Sequence, residues 1–150
     1  MRKQFLGKRY FRIIFLIYIM LFSACISEEH LSIEEVVPKE SILPTEYLHL
    51  INPLEGKSTV ISTGKELYSN NCVFCHGDTG WGDGVVGATL DPPPGELANS
   101  QKELSDDYLY WRIYDGGIQE PFNSAMPSWG GVLSETQIWQ LISYLRILGD

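Results

Sequence analysis

Residues 70–80 read NNCVFCHGDTG: Cys72 and Cys75 stand three apart, and His76 follows the second directly. Three chemistries use such a spacing: a zinc knuckle, a redox dithiol, and covalent attachment of a haem. Each needs different companions elsewhere in the chain. A structural zinc site takes four ligands, often as two such pairs. The only other cysteine is Cys25, and the other histidines, His30 and His49, lie in an acidic N-terminal stretch. A thioredoxin-like dithiol wants a preceding strand and an α/β pattern, and the sequence shows no sustained apolar/polar alternation. A disulfide between Cys72 and Cys75 would close a tiny loop and contribute little. The reading that remains is haem c attachment, with one covalent haem c as cofactor. Two thiols add across the two porphyrin vinyl groups, and the adjacent His76 imidazole turns onto the iron.

An iron with one protein ligand is open, so a sixth ligand is sought. Beyond the N-terminal apolar run the chain has one methionine, Met126, in NSAMPSWG, fifty residues after His76. A lone methionine is ordinarily a gap-filler within an apolar stripe. Met126 instead lies in a polar loop with Pro127 and Gly130, which marks it as the distal iron ligand. Thioether opposite imidazole favours ferrous iron and raises the potential.

The elements that must position these groups are helical. Ser58–Asn71 reads as a first helix, with Ser58 or Thr59 as cap. Residues 77–101 read as a long loop with six glycines and the run Pro92–Pro94. A loop of that length in a small domain wraps something. Ser105–Tyr114 reads as a second helix, capped by Ser105, favoured by Asp106 and Asp107 at its positive end, and closed by Gly116. Ser134–Leu148 is the clearest helix: Ser134 and Gln137 make a capping box, and Ile138, Leu141, Ile142 and Leu145 form one apolar face. The expected fold is all-α, three to five helices wrapped around one covalent haem. A domain of residues 58–150 makes only a small core by itself, which a cofactor completes.

Upstream, Arg2, Lys3, Lys8, Arg9 and Arg12 precede ten apolar residues, Ile13–Phe22, and then Ser23, Ala24 and Cys25. This describes an export signal, residues 1–24. The run is short for a membrane span, which takes about 20 apolar residues. LFSAC is similar to a lipobox, which makes Cys25 the acylated mature N-terminus, although Phe22 departs from the usual aliphatic residue. The alternatives are an uncleaved anchor, or a secreted chain cut near Ala24 with a spare thiol. Residues 25–57 read as a lipid-anchored acidic tether, with Tyr47–Ile51 docking on the domain or on a partner. From Cys25 onward six Lys and Arg face nineteen Asp and Glu, a formal charge of −13. That argues against nucleic acid as a natural partner and favours a partner with a basic or apolar docking face. The expected location is the extracytoplasmic face of a bacterial membrane.

The chain resembles class I cytochrome c over residues 58–150. The residues that carry the likeness are Gly64 and Tyr68 before Cys72, the CVFCH motif, Met126 in AMPSW, and Leu141 and Tyr144 in WQLISYLRIL. The resemblance implies that Gly64 lets the first and last helices approach closely while Tyr68 and Tyr144 stack near the crossing. It implies a proline carbonyl that accepts the His76 side-chain N–H; Pro92, Pro93 and Pro94 are the candidates, with Pro93 central. The lysine ring by which mitochondrial cytochrome c docks is missing. Asn52-Pro53, GKELY and CHG with GDG also look like the mono-haem lipoprotein subunit of alternative complex III, a membrane quinol oxidoreductase.

Other residues have two readings each. Trp81, Val85 and Val86 pack on the porphyrin or line its exposed edge, packing being favoured. Trp111 and Tyr114 belong to the core around the haem. The Trp129 indole reaches a haem propionate or packs in the core, and Arg112 pairs with a propionate or lies on the surface. The expected function is non-catalytic: single-electron transfer between a membrane quinol-oxidising complex, respiratory or photosynthetic, and an acceptor, as a shuttle or as a subunit. The alternative is a ligand-binding, peroxidase-like or sensory haem from which Met126 departs.

Overall fold

A computed structural model of the chain describes residues 42–100 and 102–149. The export signal, Cys25, His30 and the first part of the tether lie outside the described residues. The elements are α1 (Ile61–Asn71), α2 (Val73–His76), α3 (Leu97–Ser100), α4 (Asp106–Asp115) and α5 (Glu135–Leu145). Turns of 3-10 helix occupy Thr45–Tyr47, Ser58–Val60 and Gly87–Thr89. No strand occurs among the described residues, so the fold is all-α as expected. None of the described helices is long and apolar enough to cross a membrane.

α1 and α5 cross at Gly64. A Cβ there would stand 2.2 Å from the Gln140 carbonyl oxygen and 2.8 Å from the Tyr144 Cβ. Only a residue without a side chain permits that approach. One turn further, the Tyr68 and Tyr144 rings meet with centroids 5.5 Å apart, tilted by 58° rather than stacked in parallel. Tyr68 is buried and donates its hydroxyl to the Gly77 carbonyl at 2.7 Å, tying α1 to the chain just beyond His76. Gly64→Val therefore forces the helices apart, and we expect about 2–4 kcal/mol of destabilisation in denaturant titration. An unchanged midpoint would mean that the crossing relaxes freely.

The apolar face of α5 is buried as its period predicts: Ile138, Leu141, Ile142 and Leu145 are each no more than 3% exposed. The Ser134–Gln137 capping box is present in both directions. The other expected caps differ. The chain reaches α1 through the Ser58–Val60 turn, with no side-chain cap from Ser58 or Thr59. Ser105 occupies the cap position of α4, but its hydroxyl turns to the Asp107 carboxylate instead of a backbone N–H. Asp107 is occupied in turn by the backbone N–H groups of Tyr108 and His49, at 2.8 and 3.0 Å. Gly116 closes α4, its N–H bonding to the Arg112 carbonyl at 3.2 Å.

The stretch before Ser58 lies on the helical unit as far back as it is described. Leu43 is buried with Tyr108 and Trp111. Tyr47 packs among Tyr110, Trp111 and Tyr114 at centroid distances of 6.2–6.5 Å and donates its hydroxyl to Asp115 at 2.9 Å. Asn52 is buried and donates to the Ser143 hydroxyl at 3.1 Å. Thus Tyr47 and Leu50 dock on the domain, while Ile51 remains 78% exposed.

Candidate functional site

The one-turn helix α2 continues almost directly from α1, the Cys72 N–H bonding to the Tyr68 carbonyl at 2.8 Å. In a helical turn residues i, i+3 and i+4 share a face. Cys72, Cys75 and His76 have that spacing, and all three line one cavity. Phe74, between the cysteines, is left 57% exposed. The His76 N–H bonds to the Cys72 carbonyl at 2.9 Å, and the His76 carbonyl accepts the Gly82 N–H at 2.9 Å.

Met126 reaches the same cavity from a different segment. Its carbonyl accepts the Gly117 N–H at 2.9 Å, and the Ser124 N–H returns to Gly117 at 2.8 Å. The Trp129 and Gly130 N–H groups bond back to Ile113 and Tyr114, at 3.1 and 2.9 Å. The methionine loop is thus fastened by its backbone to the end of α4. Trp129 lines the cavity beside it. The cavity holds about 850 Å³ of space between atoms, including the part continuous with solvent. A larger and more open groove, about 1460 Å³ on the same measure, lies at Asn52–Ser58, Lys102–Asp106 and Ser143–Ile147. It contains no cysteine, histidine or methionine.

Pro92, Pro93 and Pro94 all line the cavity, but none supplies the expected acceptor for His76. The His76 Nδ1 lies 3.3 Å from the carbonyl oxygen of Gly95. The Pro94 carbonyl faces elsewhere: a Cβ on Gly82 would stand 2.6 Å from its oxygen. The proline run forms a wall, and the chain meets the imidazole one residue later. In the tautomer that donates from Nδ1, the other ring nitrogen keeps its lone pair for a metal. Burial lowers the His76 pKa, which keeps the ring neutral at pH 7.

Burial, and then neighbouring Cys75, push the Cys72 thiol up to about 12. A redox dithiol needs the opposite shift. No disulfide joins Cys72 and Cys75. These donors fit a haem c: two thiols and an imidazole on one helical face of the cavity, and a thioether from a different segment.

Trp81, Val85 and Val86 do not pack into the cavity. They are 48%, 78% and 44% exposed; at the two valines, Gly84 and Gly87 hold the loop backbone against α2. Trp111 is buried but stands behind Phe122, at a centroid distance of 5.4 Å. Phe122 itself lines the cavity, a role the sequence did not signal. Arg112 is in the cavity wall as well. Its guanidinium lies 3.4 Å from the Phe122 ring centroid and donates to the Gly116 carbonyl at 2.6 Å. Burial lowers its pKa.

An all-helical domain with both thiols, the histidine and the methionine around one cleft defines a c-type cytochrome of class I, which carries covalent haem c. Residues 59–145 match the family described as cytochrome C oxidase, cbb3-type, subunit III, and the chain belongs to that family. It is 28% identical over 104 residues to the cbb3-type cytochrome c oxidase subunit CcoP of Azospirillum brasilense, covering 69% of this chain and 34% of that one. It is 31% identical over 98 residues to the corresponding FixP subunit of Azorhizobium caulinodans, covering 63% of this chain and 29% of that one. The chain thus spans about a third of the length of these curated relatives. Among solved structures it is similar to a chain of the Kuenenia stuttgartiensis reducing HAO-like protein complex, at 25% identity and TM-score 0.53, over 65% of this chain and 47% of that one.

Proposed function

We propose that the protein is a membrane-anchored, mono-haem electron carrier serving a membrane oxidoreductase complex. The observation that carries this is the meeting of His76 and Met126 in one cavity. Haem c held there supplies a reversible one-electron iron couple. Cys72 and Cys75 would hold the group by thioethers, and His76, oriented by Gly95, would ligate its iron. Met126 would supply the second protein ligand and so keep substrate from the metal. Arg112 and Trp129 would be the cavity-wall donors for the porphyrin carboxylates. The relatives that are oxidase subunits support a role within or beside a complex. The strings shared with the alternative complex III cytochrome support a quinol-oxidising donor. The lipobox supports a lipid on Cys25 and an extracytoplasmic location.

The test begins with membranes of a producing cell that attaches haem. Mild detergent should release the protein together with partner subunits; release by salt alone would remove the lipid anchor from this reading. The reduced spectrum of the purified protein is then recorded with and without carbon monoxide. No change supports a closed, six-coordinate carrier. A rapid carbon monoxide spectrum would make the protein a ligand-binding haem protein instead.

A further inference from the structure

Phe74, Val85 and Val86 are exposed apolar residues on backbone segments that touch. The Val86 N–H donates to the Phe74 carbonyl at 2.9 Å, so the loop after His76 folds back along α2. Two glycines permit this. A Cβ on Gly84 would stand 2.4 Å from the Phe74 oxygen, and one on Gly87 would stand 2.1 Å from the Cys75 oxygen. The loop backbone therefore lies directly against the Cys72–Cys75 turn. On its inner side the two thiols line the cavity; on its outer side Phe74, Val85 and Val86 meet solvent.

The segments that carry this patch hold charges of one sign. From Asn71 to Gln101 there is no Lys or Arg, while Asp78, Asp83, Asp91 and Glu96 are present. Ile113–Leu145 has no Lys or Arg either, and adds Asp115, Glu120 and Glu135. Lys57, Lys102 and Arg146 instead line the open groove, which shares no lining residue with the cavity. Lys65 is on α1. Of the described cations, Arg112 alone lines the cavity.

Resting on the electron-carrier reading, we propose that Phe74, Val85 and Val86 form the port through which this cytochrome exchanges electrons. Its occupant is a redox protein that presents a basic rim around an apolar centre. Apolar contact desolvates the loop over the Cys72–Cys75 turn, and the carboxylates of these segments steer and orient the partner. One electron leaves the reduced donor and enters the oxidised acceptor; no bond forms or breaks, and no proton moves.

The full chain with haem attached is reduced and mixed by stopped flow with an oxidised, lysine-rich cytochrome c as the basic probe. The second-order rate should fall roughly tenfold between about 10 mM and about 200 mM salt, as screening removes the attraction. Val85→Lys should lower the low-salt rate about tenfold, with the visible spectrum unchanged. Glu55→Lys, a larger charge change at the remote groove, should alter it by less than about twofold. A rate that rises with salt, or Glu55→Lys slowing the reaction as much as Val85→Lys, would overturn the port. Either result leaves the carbon monoxide experiment untouched, so the port and the electron-carrier reading fail separately.

Discussion

Met126→Ala is expected to lower the midpoint potential by a sizeable part of the roughly 0.8 V that axial ligation spans, and to open the iron to carbon monoxide. Thioether stabilises ferrous iron; water or hydroxide in its place favours the ferric state. The change should stay local, because the methionine loop is held by backbone hydrogen bonds. Gly117 to the Met126 carbonyl, and Trp129 and Gly130 to the end of α4, survive truncation of the side chain. Spectroelectrochemical titration of the two proteins checks it, with far-ultraviolet circular dichroism to confirm that the helices persist. An unchanged potential would remove Met126 from the iron. Among the described residues the only histidine besides His76 is His49, which lies on the N-terminal strap with its backbone fastened to Asp107, so no second histidine lines this cavity to stand in.

The paired substitution Cys72→Ser with Cys75→Ser is expected to abolish covalent haem and most of the fold. A denaturing gel stained for haem should show none, and helical circular dichroism should fall to a minor fraction. Two features make the domain dependent on its cofactor. α2 is one turn long, and isolated helices shorter than about 12 residues are marginal in water. Without haem, Phe122, Pro94 and Trp129 would present one side to an open cleft. A small domain has a net stability on the order of 5–10 kcal/mol. A ligand at a thousandfold its Kd already supplies about 4 kcal/mol of that, and a covalent one supplies more. Full helical content in the haem-free double variant would show that the polypeptide core suffices alone.

Much of the architecture was legible because it is written in local periods. The i, i+3, i+4 spacing of Cys72, Cys75 and His76 needs only one helical turn to bring them to one face. The α5 stripe from Ile138 to Leu145 and its Ser134–Gln137 box likewise depend on neighbours a few residues apart. Gly64 was readable through resemblance, and its contact with Gln140 gives the reason for it. The loop expected over residues 77–101 was less legible: it contains α3 and the Gly87–Thr89 turn, each too short to leave a periodic signal.

What local sequence could not decide was which distant groups meet. The acceptor for His76 is Gly95 rather than a proline, because the Pro94 carbonyl is directed toward Gly82. Ser105 failed as a cap because Asp107 competes for its hydroxyl. Residues 25–57 read as tether, with Tyr47–Ile51 docking on the domain or on a partner; the described part docks on the domain, where Tyr47 and Asn52 find Asp115 and Ser143, 68 and 91 residues away. Val85 and Val86 face outward because Gly84 and Gly87 let their backbone lie against Cys75. The Cys72–Cys75–His76 spacing and the three longest helices could be read from residues a few positions apart, since both rest on short-range patterns. The hydrogen-bond partner of the histidine, the choice of the domain as docking site for Tyr47, and the outward turn of Val85 and Val86 rest on contacts between segments far apart in the chain, which no local pattern encodes.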